Sequence, residues 1–228
     1  MKTIGLLGGM SWVSTIAYYR LINEAVAERL GGWHSAKCVL GSVDFAEIEA
    51  LQRSNNWETA GRVLNGQARA VEQAGADVLV LCTNTMHKVA DTIHEGLQIP
   101  FLHIAEVTGK VIRESGLTKV GLLGTAYTME MGFYSRPLKG MGIDVLVPEK
   151  ELRDKLNVVI FDELNVESSS RSTVCEMVED LRRKGCGGVI LGCTEIPMLI
   201  GPEDVDVPVF DTTAIHADAA VSFALAGP

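Results

Sequence analysis

Two short stretches carry side chains that could move protons. The segment LCTNTMH, residues 81–87, places Cys82 and Thr83 directly after an apolar run, and the segment GCTE, residues 192–195, carries Cys193. The reference pKa of a cysteine thiol is about 8.5, so a thiol whose pKa is lowered toward neutrality can take and return a proton. Both stretches are predicted strand-to-helix turns, whose free backbone N–H groups stabilise a thiolate or bind a carboxylate. The pattern favours acid–base chemistry on a small acid.

Short polar side chains beside these turns are candidates for binding a carboxylate. The candidates are Asn84, Thr85, Thr125 and Thr194. Each donates hydrogen bonds and adjoins turn or glycine-rich backbone, but each could instead cap a helix, and for Thr125 the two interpretations carry equal weight. Glu195 could bind a substrate ammonium, alter the pKa of Cys193, or only stabilise a first helical turn.

The composition argues against several classes of protein. A net charge of −9 without clustered Lys or Arg argues against a nucleic-acid partner, but not against an anionic small molecule. No apolar run is long enough to span a membrane, and the N-terminus lacks a signal-peptide pattern, so we expect a cytoplasmic protein. The five cysteines lack CxxC spacing, which argues against a zinc site or a disulfide framework. GLLGGMS lacks the G-x-G-x-x-G spacing of a dinucleotide site.

The elements that must position these residues alternate between apolar strands and helices. Such alternation predicts an α/β fold with mainly parallel sheets flanked by helices. One helix is expected from about Trp12 to Leu30, and another from the LLGT turn through about Lys139.

The second half of the chain repeats the first. Three pairs of segments match in the same order: 2–22 with 119–138, 75–85 with 185–195, and 99–109 with 207–217. We therefore expect two similar domains from an internal duplication, with the site in the cleft between them at the carboxyl ends of the strands. The first domain is residues 1–104, completed by a C-terminal helix at 212–228, and the second is residues 105–211.

The repeat bears on which of Cys82 and Thr83 faces the site. Consecutive side chains on a strand point to opposite faces, so only one of the two can do so. Thr83 lies eight residues past Gly75 and Cys193 lies eight past Gly185, which makes Thr83 the partner of Cys193. A register shifted by one residue overlays the two CT pairs and favours Cys82 instead.

The chain resembles the aspartate/glutamate racemase family of cofactor-independent amino-acid racemases. The resemblance is carried by IGLLGGMS, NTMH, LLGT and GCTE, and it covers nearly the whole chain. It implies two similar α/β domains, a homodimer, no cofactor, and two opposed cysteines that act as acid and base at the α-carbon. By the same resemblance, Met10 and Ser11 line the pocket.

The chain departs from the family pattern at one of these cysteines. The family's first cysteine stands immediately before NT, where this chain has Thr83, whereas Cys193 matches the second cysteine. A threonine hydroxyl is too weakly acidic to be an equivalent free base, although it can donate or relay a proton. We expect Cys193 to abstract the α-proton and Thr83 to serve the other face slowly or with a direction bias.

Recognition of the substrate side chain is less clear from the sequence. Some family members use an Arg after the second strand and a Lys in the region of residues 162–167, and this chain has DELNVE there without the Lys. Gln52 is the leading substitute, followed by Arg53 and Lys155, for which a solvated helix face is the alternative.

The sequence therefore predicts a racemase that acts on a small amino acid, aspartate or glutamate. One alternative is a related reaction at another acidic α-carbon, such as hydantoin racemisation or decarboxylation. A second is a binding protein that has lost one catalytic thiol.

His87, one turn after Thr83, is expected to orient the loop, and His87 and His94 lack the partners of a metal site.

Overall fold

The computed structural model describes residues 1–161 and 168–227. These residues form two compact units. The first comprises Met1–Ile104 and the C-terminal segment from His216, and the second comprises the described residues of Ala105–Ile215.

The first unit is built on a four-stranded parallel sheet with the strand order β2-β1-β3-β4. The strands are β1 (Ile4–Gly8), β2 (Cys38–Ser42), β3 (Val78–Leu81) and β4 (Phe101–Leu102). The helices are α1 (Trp12–Leu30), α2 (Phe45–Arg53), α3 (Trp57–Gln73) and α4 (Ala90–His94), and a 3₁₀ turn spans Thr85–Val89.

The core of this unit follows from its apolar central strands. β1 and β3 are buried along their whole length, as expected for parallel strands covered by helices on both faces. One core cluster packs the sheet against α1 and the C-terminal helix, and it includes Ile4, Leu6, Val78, Val80, Cys82, Tyr18, Ile22, Ala220 and Val221.

The second unit repeats this architecture. Its strands are β5 (Lys119–Gly124), β6 (Asp144–Leu146), β7 (Val189–Gly192) and β8 (Val209–Asp211), all parallel in the order β6-β5-β7-β8. Its helices are α5 (Ile104–Glu114), α6 (Ala126–Glu130), α7 (Ser135–Gly140), α8 (Lys150–Phe161) and α9 (Ser168–Arg183), and a 3₁₀ turn spans Ile196–Met198. The last helix, α10 (Thr212–Leu225), begins here and continues into the first unit. The predicted duplicated α/β fold is confirmed.

The helix expected to run through Lys139 is instead two short helices, so that expectation was wrong. The break between α6 and α7 contains Gly132, whose φ of 72° lies in the left-handed region and cannot continue an α-helix. The predicted helix from Trp12 to Leu30 matches α1.

No helix among the described residues is both long and apolar enough to cross a membrane.

Candidate active site

Parallel strands bring the functional segments of the first unit to one edge of its sheet. β1 and β3 are neighbours with Leu7 opposite Leu81, and the Cys82 amide donates to the Leu7 carbonyl at 2.9 Å. The GGMS turn that follows β1 and the TNT segment that follows β3 therefore leave the sheet side by side. Carboxyl ends of parallel strands are the usual place for ligands in such folds.

The second unit forms the equivalent edge. β5 and β7 are neighbours with Gly124 opposite Gly192, so Thr125 and Cys193 are the next residues on adjacent strand ends. A side chain at either glycine would be crowded by the neighbouring strand. A Cβ on Gly124 would lie 3.1 Å from the Gly192 carbonyl oxygen, and one on Gly192 would lie 3.0 Å from the Leu123 carbonyl oxygen.

The strand registers place Thr83 and Cys193 at equivalent positions. Leu7 and Leu123 are equivalent residues of the repeated GLL motif, and they pair with Leu81 and Leu191 respectively. Two residues beyond these partners are Thr83 in the first unit and Cys193 in the second. The sheet pairing thus gives the register that favours Thr83 over Cys82.

Cys82 points into the core instead. Its side chain has no solvent exposure and belongs to the cluster that packs β1 and β3 against α1 and α10. Burial raises the pKa of the Cys82 thiol, with a smaller contribution from Cys38. A thiol in such surroundings stays protonated and is a poor base.

Cys193 is half-buried, and its thiol donates a hydrogen bond to the Glu195 carboxylate. Burial raises the pKa of Cys193 well above its ordinary value, and the negative charge of Glu195 and its hydrogen bond raise it further. Hydrogen bonds from the Glu195 and Thr194 backbone lower the pKa, but they are outweighed. The sequence pattern suggested the opposite direction.

The reason for this difference is the element that follows Cys193. A full helix would present a macrodipole to the sulfur, but Ile196–Met198 is one short 3₁₀ turn. Burial, together with the carboxylate of Glu195 two residues from the thiol, therefore outweighs the backbone hydrogen bonds and raises the pKa of Cys193. The thiol form of Cys193 predominates at neutral pH, with Glu195 placed to take its proton.

Thr83 lies two positions beyond Leu81, the last residue of β3 that pairs with β1. It is half-buried, its amide donates to the Leu81 carbonyl at 2.9 Å, and its carbonyl accepts a hydrogen bond from His87 Nδ1 at 2.8 Å. Both of these bonds use backbone atoms of Thr83. Among residues 1–161 and 168–227, its hydroxyl makes no hydrogen bond. The hydroxyl is thus available to a ligand.

The GGMS turn is held by a residue that the sequence did not single out. Thr15 Oγ1 accepts a hydrogen bond from the Gly9 amide at 2.8 Å and donates to the Ser11 carbonyl at 2.9 Å. Gly9 has a φ of 94°, and a Cβ there would lie 2.2 Å from the Val43 carbonyl oxygen, so this position requires glycine. In the sequence, a threonine one turn into the helix that follows the glycines could have indicated this role.

The predicted pocket residues Met10 and Ser11 belong to this turn. Met10 is buried, whereas Ser11 is half-buried and caps α1 by accepting a hydrogen bond from the Ser14 amide at 3.4 Å. The Ser11 side chain is thereby held at the strand end.

The candidate carboxylate ligands lie at the two strand-end edges in different surroundings. Asn84 is buried, while Thr85 and Thr194 are half-buried. Thr125 caps α6, because its Oγ1 accepts a hydrogen bond from the Thr128 amide at 3.3 Å. Thr125 therefore caps a helix, and a hydroxyl that accepts this bond can also donate one to a carboxylate.

The candidates for binding the side-chain carboxylate of the substrate differ in burial. Gln52 is buried in the first unit, and its Nε2 donates to Met86 Sδ at 2.9 Å, next to the NT segment. Arg53 is exposed and pairs with Glu49, and Lys155 is exposed on α8. Residues 162–167, which correspond to the family's lysine region, lie outside the described residues.

Comparison with known proteins identifies the family. The sequence profile described as "Asp/Glu/Hydantoin racemase" matches residues 7–220. This chain belongs to the Asp/Glu/hydantoin racemase family, and that membership supports amino-acid racemisation.

Solved structures share both the fold and much of the sequence. The structure described as a putative Asp/Glu racemase from Yersinia pestis is 50% identical, with a TM-score of 0.93 over 99% of this chain and 100% of that one. An aspartate racemase homologue from Pyrococcus horikoshii OT3 is 35% identical, with a TM-score of 0.88 over 98% and 99% of the two chains. A relative named broad specificity amino-acid racemase RacX, from Bacillus subtilis strain 168, is 26% identical over 72% of this chain and 71% of its own length.

Proposed function

We propose that this protein racemises aspartate or glutamate without a cofactor, with Cys193 as the thiol acid–base group and Thr83 in the place of the second thiol. The observation that carries the proposal is the register equivalence of the two residues at the carboxyl ends of corresponding strands. Family membership supports the reaction class.

The contacts of Cys193 suggest how its side of the reaction proceeds. Glu195 accepts the thiol proton, the resulting thiolate takes the α-proton, and a carbanion remains on the substrate. A proton then reaches the opposite face of that carbanion from a water held by the Thr83 hydroxyl, and the proton that Glu195 releases to solvent neutralises the hydroxide left behind. In the reverse direction, the Thr83 side removes the proton and the Cys193 thiol returns one.

The remaining site residues would bind the two carboxylates of the substrate. Asn84, Thr85, Thr125 and Thr194 supply hydrogen-bond donors for the α-carboxylate, next to Met10 and Ser11. Gln52 would bind the side-chain carboxylate through its amide. A neutral amide gives less selection for a negative charge than an arginine does.

This last feature favours a second candidate function, which is racemisation of a wider range of amino acids. The relative from Bacillus subtilis is named as broad in specificity, and Gln52 is neutral. A non-catalytic amino-acid-binding protein is the third possibility, because Thr83 replaces a thiol.

The decisive experiment is proton NMR in D2O with the reduced protein. L- and D-aspartate, L- and D-glutamate and L-glutamine are each incubated, and the same samples are analysed by chiral chromatography. Exchange with inversion of the two acidic amino acids alone supports the first proposal, and inversion of glutamine as well supports the second. Binding without any α-proton exchange would overturn both.

A homodimer is proposed from the family resemblance alone. Light scattering of the purified protein would give twice the mass of one chain, and the mass of a single chain would contradict the proposal.

A further inference from the structure

Two buried histidines lie close together behind the candidate site in the first unit. His87 and His216 have ring centroids 5.7 Å apart, and His103 lies 4.8 Å from His87 by the same measure. His87 is 2% exposed and His216 is fully buried. Proton transfer in the proposed function does not use either histidine.

The hydrogen bonds of His87 define its protonation state. Nδ1 lies 2.8 Å from the Thr83 carbonyl oxygen, which can only accept, so Nδ1 carries the hydrogen. Nε2 lies 3.2 Å from the Ile104 amide, which can only donate, so Nε2 carries none. The neutral Nδ1–H tautomer alone satisfies both partners, and burial together with the two neighbouring histidines lowers the pKa of His87.

These two bonds join the ends of two strands. Thr83 follows β3, where the sheet no longer fixes the chain, and Ile104 follows β4. The imidazole of His87 therefore ties the residue that carries the candidate hydroxyl to the adjacent strand end. A shift of either partner would break a buried hydrogen bond.

We propose that His87 is a positioning residue that fixes Thr83 against the end of β4 through its neutral Nδ1–H tautomer. The inference rests on the proposed function, in which Thr83 serves one face of the substrate. Small displacements of a reacting group cost much of its rate, because the geometry of proton transfer is narrow.

His216 provides a matched control. Its Nε2 donates to the Leu102 carbonyl at 2.7 Å and its Nδ1 accepts from the Tyr18 hydroxyl at 2.9 Å, so it is also a buried, neutral histidine with both nitrogens bonded. Neither bond reaches Thr83. A role that is only structural should give similar effects at the two positions.

The two bonds of His87 can be removed separately. The side-chain amide of His87→Asn places a donor near the former Nδ1 and leaves the Ile104 amide without its acceptor. The longer His87→Gln can place an oxygen near the former Nε2 and lose the donor to Thr83. His216→Gln is the control variant.

The readout is the ratio of α-proton exchange with inversion to exchange with retention, measured in D2O from each enantiomer. Exchange with retention needs Cys193 alone, whereas inversion also needs Thr83. We expect His87→Gln to lower the ratio about tenfold or more, with a smaller loss in His87→Asn and no change in His216→Gln. Equal ratios in the two glutamine variants would overturn the proposal.

A second measurement does not depend on activity. Nitrogen-15 NMR of the wild-type imidazoles should show His87 as the Nδ1–H tautomer, and the Thr83 amide signal should shift in His87→Gln but not in His216→Gln. An Nε2–H or charged His87, or equal shifts in both variants, would overturn the positioning role. A wild-type protein without exchange would refute the proposed function, and this measurement would still decide whether His87 fixes Thr83.

Discussion

Cys82 and Cys193 have the same side chain in opposite surroundings. Cys82 packs among apolar core residues, whereas Cys193 is half-buried at a strand end beside a carboxylate. Both pKa values are raised by burial, but Glu195 gives only Cys193 a nearby group that can take its proton. Position within the sheet, and not the residue type, separates the two thiols.

The first prediction concerns Cys82. Cys82→Ala should keep the α-proton exchange rate, because the buried thiol has no part in the reaction, while unfolding becomes easier by about 1 kcal/mol. Exchange rates and urea unfolding of the same preparation check this. Loss of exchange in a variant that is still folded would return Cys82 to the reaction.

The second prediction concerns Glu195. The raised pKa of Cys193 leaves little thiolate at neutral pH, so alkylation of Cys193 should accelerate as the pH rises through the alkaline range. Glu195→Gln removes the negative charge that contributes to the raised pKa, and the alkylation profile should move to lower pH. The measurement is the iodoacetamide rate at Cys193 against pH, read by mass spectrometry of its peptide, with Cys175 as an internal control. An unmoved profile at Cys193 would show that Glu195 does not set its pKa.

At the scale of elements, the turn after β1 depends on one threonine. Thr15 accepts from the Gly9 amide and donates to the Ser11 carbonyl, so its hydroxyl closes the GGMS turn from within α1. The turn presents Met10 and Ser11 at the strand end. Its geometry should therefore depend on the hydroxyl and much less on the methyl group.

The third prediction compares two substitutions of Thr15. Thr15→Val removes the hydroxyl and leaves a buried amide and carbonyl without these bonds, which should lower the free energy of unfolding by about 1–3 kcal/mol. Thr15→Ser keeps the hydroxyl and should lose less. Urea denaturation of both variants checks the order, and a serine variant as unstable as the valine variant would show that packing of the methyl group is what matters.

Element by element, strands were easier to predict than the short elements that follow them. IGLLG and VLVL are short apolar runs of the kind that buried parallel strands use, and both are strands. The turn after Cys193 was expected to begin a helix and lower the thiol pKa, but it is a short 3₁₀ turn and the pKa is raised. Turn length and the approach of the Glu195 side chain depend on local packing that a sequence pattern does not encode.

At the scale of the whole molecule, the duplication made the fold predictable. Three pairs of matching segments predicted two similar units, and the two sheets have the same strand order. The contacts of Thr15, the bond that joins His87 to Ile104 and the hydrogen bonds of His216 could not be predicted, because they join residues distant in sequence or depend on the path of a turn. Such bonds leave no periodic pattern.

The fourth prediction is a pH dependence of stability that arises from the buried histidines. Burial lowers the pKa of His216 to about 4, whereas an unfolded histidine titrates near 6.5. The contribution of His216 to the free energy of unfolding is therefore fully present above pH 6.5. It is lost as the pH falls toward 4, by up to about 3 kcal/mol. His87 should act in the same direction.

Urea unfolding at pH 7, 5.5 and 4.5 measures this dependence. His216→Gln, which does not titrate, should show a shallower loss of stability over the range. The same steepness in the variant and the wild type would assign the pH dependence to other groups.

The most direct test of the central claim is deuterium incorporation by Cys193→Ala and Thr83→Ala. From both enantiomers of the best substrate, the α-carbon is followed by NMR and its configuration by chiral chromatography. If the two residues serve opposite faces, both variants lose exchange with inversion. Thr83→Ala keeps exchange with retention from one enantiomer, because Cys193 still serves its face. Inversion at the wild-type rate in either variant would contradict the assignment.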